Sequence, residues 1–256
     1  MTDPAPTPYR PREFWQDRLS EQFDLRGTGH PGLSAEYNRL CYALRAIVLD
    51  GLLARHHVPV AGRTVLDGGC GSGFFVEHFL GKGAAVTGVD LTDVSARELS
   101  RRFPAARFEV GDLSEWRPQV KYDIVSCFDV LFHITDDAKW EHALTNLTDA
   151  VKPGGYFVFT EMFYPGKRDH AHAAHNVARG WEAYRPALLA RGLAVLEDVP
   201  THHFMNNELG PFRFLNRVPQ ALFRVDLALL TAGAFANRPP NRMVLCRRPD
   251  GVPEAR

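Results

Sequence analysis

From residue 60 onward, short apolar runs alternate with segments whose apolar residues recur at helical spacing. This alternation is typical of a doubly wound α/β sheet, in which parallel strands lie between two layers of helices. The runs predict strands at residues 64–67, 84–89, 107–110, 122–127, 156–160, 193–199 and 243–247.

The segments between these strands carry helix signals. Residues 74–80 follow a glycine-rich turn, and Thr92 can cap a helix that ends near Arg102. Thr135 is the predicted cap of the next helix. The stripe that this helix would turn toward the sheet consists of Trp140, Leu144, Leu147 and Val151.

Residues 1–60 precede the alternating pattern and form a predicted N-terminal helical lid segment, while residues 61–256 form the core. The prolines of residues 1–14 predict a frayed lead-in, and an amphipathic helix is predicted from about residue 34 to residue 55. The glycines expected to give the lid its freedom to close are Gly27, Gly29 and Gly32.

Residues 206–238 form a predicted insertion that is too apolar for a solvated loop. Its apolar side chains are Phe212, Phe214, Leu215, Val218, Leu222, Phe223 and Val225. They would cover an apolar acceptor, form a homodimer interface or contact a membrane surface. The membrane is the least favoured of the three, because only Arg213, Arg217 and Arg224 supply positive charge there.

The charges of the chain cancel, with 30 Lys and Arg against 30 Asp and Glu, so no overall field attracts nucleic acid. The N-terminal residues resemble neither a signal peptide nor a membrane anchor. The 4 cysteines lack CxxC spacing, which favours buried reduced thiols over disulfides or zinc. We therefore expect a cytoplasmic protein without a nucleic-acid partner and without membrane insertion.

The most informative segment is VLDGGCGSGFF, residues 65–75, a strand that runs into a glycine-rich turn before a helix. Gly69, Gly71 and Gly73 give GxGxG, whereas the dinucleotide fingerprint requires a small residue where Phe74 stands. Asp67 precedes the glycines and would repel a pyrophosphate but attract an ammonium group. The turn thus favours S-adenosylmethionine over a nicotinamide cofactor.

With this turn, four further segments resemble the class I S-adenosylmethionine-dependent methyltransferases that act on small molecules. The five segments are VLDGGCGSG, VTGVDLT, FEVGDLSEW, YDIVSCFDVLFHI and LTDAVKPGGYFVFTE, and they cover roughly residues 62–162. The resemblance implies a Rossmann-like sheet of seven strands, mostly parallel with an antiparallel last strand. It also implies S-adenosylmethionine as cofactor and S-adenosylhomocysteine as product.

The resemblance implies a role for several residues. Asp90 would accept the ribose hydroxyls, Asp112 would accept the adenine amino group, and the Leu113 amide would meet a ring nitrogen. Alternatively, Asp90 is a solvated loop acid and Asp67 only stabilises its turn. The full predicted cofactor set is Asp67, Gly69, Cys70, Gly71, Gly73, Asp90, Leu91, Asp112, Leu113 and Phe128, with Tyr37 and Arg39 as lid residues over the methionine end.

His133 follows the fourth strand, beside the expected position of the reactive methyl group. As a neutral imidazole it would take a proton from an acceptor hydroxyl. The alternative is that it packs near the cofactor or caps the following helix.

Other polar residues are candidates for the acceptor side. They are His170, His172, His175, Tyr164 and His203. The histidine cluster, with Asp169 and Glu161, would alternatively hold a divalent metal, but we expect no metal.

The histidines near the methyl position favour O-methylation of a metabolite, natural product or sugar hydroxyl. N-, C- and S-methylation by the same fold stay open, as does a catalytically silent S-adenosylmethionine-binding domain. A nicotinamide oxidoreductase is disfavoured by Phe74 and by the lack of a Tyr-xxx-Lys pair.

Overall fold

The computed structural model describes residues 9–169, 174–206, 209–234 and 240–251. Strands and helices are numbered along the chain. The strands are β1 Thr64–Gly68, β2 Ala85–Asp90, β3 Arg107–Val110, β4 Tyr122–Cys127, β5 Val151–Met162, β6 Arg168–Asp169, β7 Val177–Ala178, β8 Ala194–Pro200 and β9 Asn241–Arg247. The α-helices are α1 Pro11–Glu21, α2 Leu25–Thr28, α3 Ala35–Arg55, α4 Phe74–Gly81, α5 Asp93–Arg102, α6 Asp137–Asp149, α7 Trp181–Ala190 and α8 Pro219–Thr231. Two 3₁₀-helices cover Leu131–His133 and Gly210–Arg217.

The main sheet has seven strands in the order β3-β2-β1-β4-β5-β9-β8. In this order, the first five strands, from β3 through β2, β1 and β4 to β5, pair in parallel. Strand β9 is antiparallel to both β5 and β8. The predicted Rossmann-like sheet with an antiparallel last strand is therefore confirmed. The strand order reverses between β1 and β4, and ligands of open α/β sheets bind outside the carboxyl ends of the strands at such a point.

The glycine-rich turn follows β1 at the point where the strand order reverses. Gly69, Gly71 and Gly73 all have positive φ, at 78°, 52° and 84°, a region that side chains other than glycine rarely adopt. At Gly69 an added Cβ would lie 2.3 Å from Val130 Cγ2, so only glycine fits. The amides of Gly69 and Cys70 donate to the Val89 carbonyl, which ties the turn to β2.

Two helix signals have different outcomes. Thr92 caps α5 as predicted, because its hydroxyl accepts from the Ser95 amide. The predicted cap at Thr135 is wrong: Asp136 caps α6, its carboxylate accepting from the Lys139 amide at 2.8 Å. A carboxylate at a helix N-terminus also interacts favourably with the helix dipole. Val151 lies in β5 rather than on this helix, since it pairs with Tyr122 of β4.

The predicted frayed lead-in is wrong from Pro11 onward, where α1 begins; residues 1–8 lie outside the described residues. Proline suits the first helical position, since its missing N–H would be unpaired there and its fixed φ matches the helix. Leu19 of α1 is buried, and the side chain of Gln16, also on α1, accepts a hydrogen bond from the Asp93 amide of α5.

Two of the three predicted hinge glycines serve close packing. A Cβ at Gly27 would lie 2.0 Å from the Gln22 carbonyl oxygen, and one at Gly29 would lie 2.4 Å from the Asn38 amide oxygen. Gly32 has open space around it. The turn before α3 is therefore a packed corner that requires glycine at two positions.

The predicted helical insertion consists, within its described residues, of Gly210–Arg217 and α8. It packs on α3 and not over the edge of the sheet. The shared buried cluster contains Tyr37, Leu40, Cys41, Leu44, Met205 and Leu222.

All four cysteines are free and buried, as their spacing and apolar surroundings predicted. In the part of the chain that the structure describes, no helix combines the length and apolarity needed to cross a membrane.

Candidate functional site

A cavity of about 350 Å³ lies at the carboxyl ends of β1, β2, β3 and β4. Its size falls within the range of about 300–1,000 Å³ that small-molecule sites usually have. Most of the predicted cofactor residues and the predicted base line it: Asp67, Gly69, Cys70, Gly71, Asp90, Leu91, Asp112, Leu113, Phe128 and His133. The structure thus brings together side chains from four separate loops.

Asp67 stands at the end of β1 and is only 3% exposed. Burial raises its pKa to about 7, further raised by the negative charge of Asp90 and opposed by the hydrogen bond from the Ser126 hydroxyl. That bond is 2.8 Å long. A buried carboxyl of this kind is poised to ionise when a cation arrives in the cavity.

We predict that cofactor affinity depends on pH through Asp67. An ammonium group binds the ionised carboxylate. Cofactor affinity is therefore highest above the Asp67 pKa of about 7, and it falls up to tenfold per pH unit below that pKa. Titration calorimetry with S-adenosylhomocysteine between about pH 5.5 and pH 8.5 measures this slope. Asp67→Asn should bind more weakly and with a flat profile; an unchanged slope in that variant would contradict the assignment.

The raised pKa of Asp67 also affects the folding stability of the protein. The free protein loses stability as pH rises from the ordinary carboxyl pKa of 3.8 toward about 7, because ionisation of buried Asp67 is disfavoured in the folded state. A bound cation recovers that loss.

Asp90 ends β2 and holds the glycine turn. Its Oδ2 accepts from the Gly71 amide at 2.8 Å, and its Oδ1 accepts from the amide and hydroxyl of Thr92 at 2.9 Å and 2.7 Å. The carboxylate is therefore fixed in orientation before any ligand binds, which lowers the entropic cost of accepting two ribose hydroxyls.

Asp112 follows β3 and is fixed in a similar way. Its Oδ1 accepts from the Ser114 amide at 2.9 Å and from the Ser114 hydroxyl at 2.7 Å. Its Oδ2 lies 3.8 Å from the Lys139 ammonium nitrogen. The neighbouring Leu113 is held by its carbonyl, which accepts from the Asn146 side chain.

These residues fit the cofactor that the motifs imply. The bare backbone at Gly69 and Gly71 allows close approach, and Asp67, Asp90 and Asp112 offer acids to an ammonium group, a ribose and an adenine amino group. When bound, S-adenosylmethionine supplies a methyl group already activated by a sulfonium.

His133 ends a 3₁₀-turn at the cavity wall. Its Nδ1 lies 2.9 Å from the His175 carbonyl oxygen, which can only accept, so Nδ1 carries the proton and Nε2 carries a lone pair. Burial lowers the pKa of His133 to about 4, against the opposing effect of the bond to His175. The imidazole is therefore neutral near pH 7 and able to accept a proton.

The sequence interpretation missed Asp129, which lines the cavity beside Phe128. Its φ of 58° lies in the left-handed region, and the Thr160 hydroxyl accepts from its amide and donates to its Oδ1. Arg45, on α3, lies 2.7 Å from its Oδ2 and is itself buried. No motif predicted this ion pair, because Arg45 and Asp129 are 84 positions apart in the sequence.

It also missed the residues that α1 and Tyr9, two positions before it, bring to the cavity. Tyr9, Pro11, Trp15 and Leu19 all line it. The Trp15 ring lies 4.8 Å from the His133 ring, edge to face, and its Nε1 donates to the Tyr9 hydroxyl. The spacing of Trp15 and Leu19, four residues apart, was a helical signal among the prolines.

Three predicted cofactor residues do not line the cavity. Gly73 caps α4 instead, where a Cβ would lie 2.4 Å from Leu99 Cδ2, so its role is helix packing. Tyr37 is buried against the insertion, its hydroxyl accepting from the Asn206 amide. Arg39 is exposed and paired with Glu36. A lid contact by Tyr37 or Arg39 is not present in this arrangement.

The predicted acceptor residues are dispersed. His170 and His172 lie outside the described residues. His175, Tyr164 and His203 do not line the cavity, although His175 lies behind His133, ring stacked on ring at 5.4 Å. His175 therefore contacts His133 and not the cavity.

Glu161, considered as a metal ligand, faces the core and accepts from the Tyr184 hydroxyl. Burial raises its pKa to about 8. Across the described ranges, no three His, Cys, Asp or Glu side chains are grouped as a metal site would require.

Comparison with known proteins gives a family match. The methyltransferase domain family matches residues 34–196. Among curated proteins, the ubiquinone biosynthesis O-methyltransferase of Vibrio atlanticus is 30% identical over 155 residues, 58% of this chain. That of Albidiferax ferrireducens is 35% identical over 115 residues, 42% of this chain. The matches cover 60% and 44% of these two relatives, so the chain spans about half of their length.

Solved structures share the fold at lower identity. Magnesium protoporphyrin IX methyltransferase from Synechocystis, with bound S-adenosylmethionine, is similar at a TM-score of 0.59 and 15% identity. The similarity covers 95% of this chain and 100% of that one. The Burkholderia thailandensis 1,6-didemethyltoxoflavin-N1-methyltransferase gives a TM-score of 0.57 at 17% identity, over 96% of this chain and 94% of that one.

Proposed function

The chain belongs to the S-adenosylmethionine-dependent methyltransferases of class I, and we propose that it methylates a hydroxyl oxygen of a small acceptor molecule. In this reaction the acceptor oxygen gains the methyl group and loses its proton, and S-adenosylhomocysteine leaves. We infer that Asp90 holds the ribose, Asp112 the adenine and Asp67 the methionine ammonium group.

The choice of oxygen as the methylated atom rests on the tautomer and protonation state of His133. Its Nδ1–H is engaged by the His175 carbonyl, its low pKa keeps Nε2 unprotonated, and the residue lines the cavity. A group in this state can accept a proton from a hydroxyl at neutral pH. An acceptor that is already an anion or a neutral amine would need no such group.

A base with a pKa of about 4 is sufficient for this step. The hydroxyl proton becomes strongly acidic as the oxygen–methyl bond forms, because the oxygen then acquires positive charge. His133 therefore needs to accept the proton only late in the transfer, and it does not have to ionise the free hydroxyl.

The aromatic lining of the cavity favours a planar, largely apolar acceptor. Trp15, Tyr42, Phe74 and Phe75 line the same cavity, and aromatic walls of this kind stack on flat ligands. They would also exclude water from the reacting groups, and Pro11, Trp15 and Leu19 of α1 form part of the same wall. The Vibrio atlanticus relative is an O-methyltransferase, which agrees with this proposal.

The test uses S-adenosylmethionine labelled with ¹³C in the methyl group and matched acceptors that differ in one atom. We expect label transfer to small phenols, with the carbon resonance of an O-methyl group, and little transfer to the corresponding anilines and thiophenols. Labelled N-methyl or S-methyl products from those analogues, with the phenols unchanged, would overturn the choice of oxygen. Formation of no methylated product would support a silent binding domain only if S-adenosylhomocysteine still binds.

A further inference from the structure

The insertion between β8 and β9 has an inner and an outer face. The inner face packs on α3 through the cluster that includes Leu222 and Met205. The outer face, here called the arginine–phenylalanine face, contains Phe212, Arg213, Phe214, Arg217, Val218, Arg224 and Val225. None of these residues lines the cavity, so the site does not explain them.

The apolar members of this face are strongly exposed. Phe212 and Phe214 are 59% and 58% exposed, with ring centroids 6.4 Å apart, and Val218 and Val225 are each 47% exposed. Contiguous exposed apolar surface with a polar rim is typical of sites that bind a protein or a membrane.

The charged members are all positive. Between residues 209 and 225 the chain has Arg213, Arg217 and Arg224 and no Asp or Glu. The next acid, Asp226, is buried and accepts from the Phe204 and Met205 amides. Among residues that the structure describes, none forms an ion pair with these three arginines, which are exposed.

We propose that the arginine–phenylalanine face binds the surface of an anionic phospholipid bilayer. Phenylalanine side chains enter the boundary between head groups and acyl chains, while arginines contact the lipid phosphates. The three arginines thus serve a membrane surface better than their number alone suggested, because all are exposed and none has an ion pair among the described residues, while the acid Glu36 accepts from Gln220 at the edge of this segment. Binding of this kind is peripheral and needs no membrane-spanning helix.

The charge pattern disfavours a second copy of this chain as the partner. A two-fold symmetric interface places the same surface against itself, so the arginines of one copy would lie near those of the other, and residues 209–225 contain no acid to pair with them. The bilayer supplies the negative charge that a second copy lacks. The inference does not depend on which acceptor atom is methylated.

The experiment is co-sedimentation of the full chain with vesicles of phosphatidylcholine alone or of phosphatidylcholine mixed with phosphatidylglycerol. We expect binding to the anionic vesicles at least tenfold tighter than to the neutral ones, and weaker binding as salt rises from about 0.1 M to about 0.5 M. Each Arg→Gln change at Arg213, Arg217 or Arg224 should weaken binding by about fivefold.

The Phe212→Ser/Phe214→Ser variant should lose binding to anionic vesicles at high salt, where the arginines contribute least. The matched control is Arg107→Gln/Arg185→Gln, two exposed arginines on β3 and α7, which should bind as the wild type does. S-adenosylhomocysteine affinity, measured in every variant, shows that each one is folded.

Absence of binding to anionic vesicles would overturn the proposal, and so would equal binding by wild type and both sets of variants. A dimer that forms with increasing protein concentration and is lost in Phe212→Ser/Phe214→Ser would also overturn it, since the face would then join two copies. Failure of methyl transfer with intact vesicle binding would instead count against the proposed function alone.

Discussion

Replacing His133 by alanine is expected to lower turnover by roughly 100-fold to 10,000-fold, the usual contribution of a general base, while S-adenosylhomocysteine affinity stays close to that of the wild type. The loss follows because His133 lines the cavity and the His175 carbonyl fixes its tautomer, which leaves Nε2 with a lone pair that can accept a proton. The measurement is kcat at saturating cofactor and acceptor.

The pH profile separates proton transfer from packing. Wild-type kcat should stay level down to about pH 5, since the pKa of His133 is about 4. In His133→Ala the rate should instead rise with the ionised fraction of the acceptor. His142→Ala, an exposed histidine on α6, is the matched control. A kcat within twofold of wild type in His133→Ala would remove this residue from the mechanism.

Replacing Asp90 by alanine should weaken cofactor binding by roughly 100-fold, or about 3 kcal/mol, since charge-assisted hydrogen bonds to the ribose would be lost. The structure adds a second effect: the amides of Gly71 and Thr92 and the Thr92 hydroxyl would lose their acceptor. Because Thr92 is buried, an unpaired amide there costs about 1–3 kcal/mol. The melting temperature should therefore fall as well.

Asp90→Asn separates the two effects. Its amide oxygen can still accept from Thr92, so stability should approach that of the wild type, but its NH₂ group would face the Gly71 amide and the ribose. Asp93→Ala, an exposed acid three positions later, is the control for charge. Titration calorimetry and thermal unfolding measure both quantities, and wild-type affinity for S-adenosylhomocysteine in Asp90→Ala would refute the ribose assignment.

Local features of the sequence were sufficient to predict the central sheet and the residues at its edge. The glycine turn, the acids at the ends of β2 and β3 and the cap at Thr92 each follow from a few neighbouring residues, and the parallel sheet brings them to one edge. Near neighbours also explain the error at Thr135. Two adjacent capping residues compete there, and the sequence cannot say which carboxylate or hydroxyl reaches the third amide.

The remainder of the site depends on contacts between distant segments. The Arg45–Asp129 pair joins α3 to the end of β4, and the Trp15–His133 contact joins α1 to the following 3₁₀-turn. The outward direction of Phe212 depends on α3 having filled the opposite face of the insertion. No periodicity within one segment encodes such pairings, so the acceptor side was the less predictable part.

The position of α1 has a consequence for how this protein can be altered. The residues Tyr9, Pro11, Trp15, Leu19 and Thr28 contact the cavity, yet all precede residue 34, where the family match begins. Part of the cavity wall is thus formed by a contiguous stretch of chain that precedes every strand of the sheet and can be exchanged without cutting one. We expect that exchanging this N-terminal stretch between related enzymes would change substrate preference, while Asp67, Asp90 and Asp112 would stay with the core.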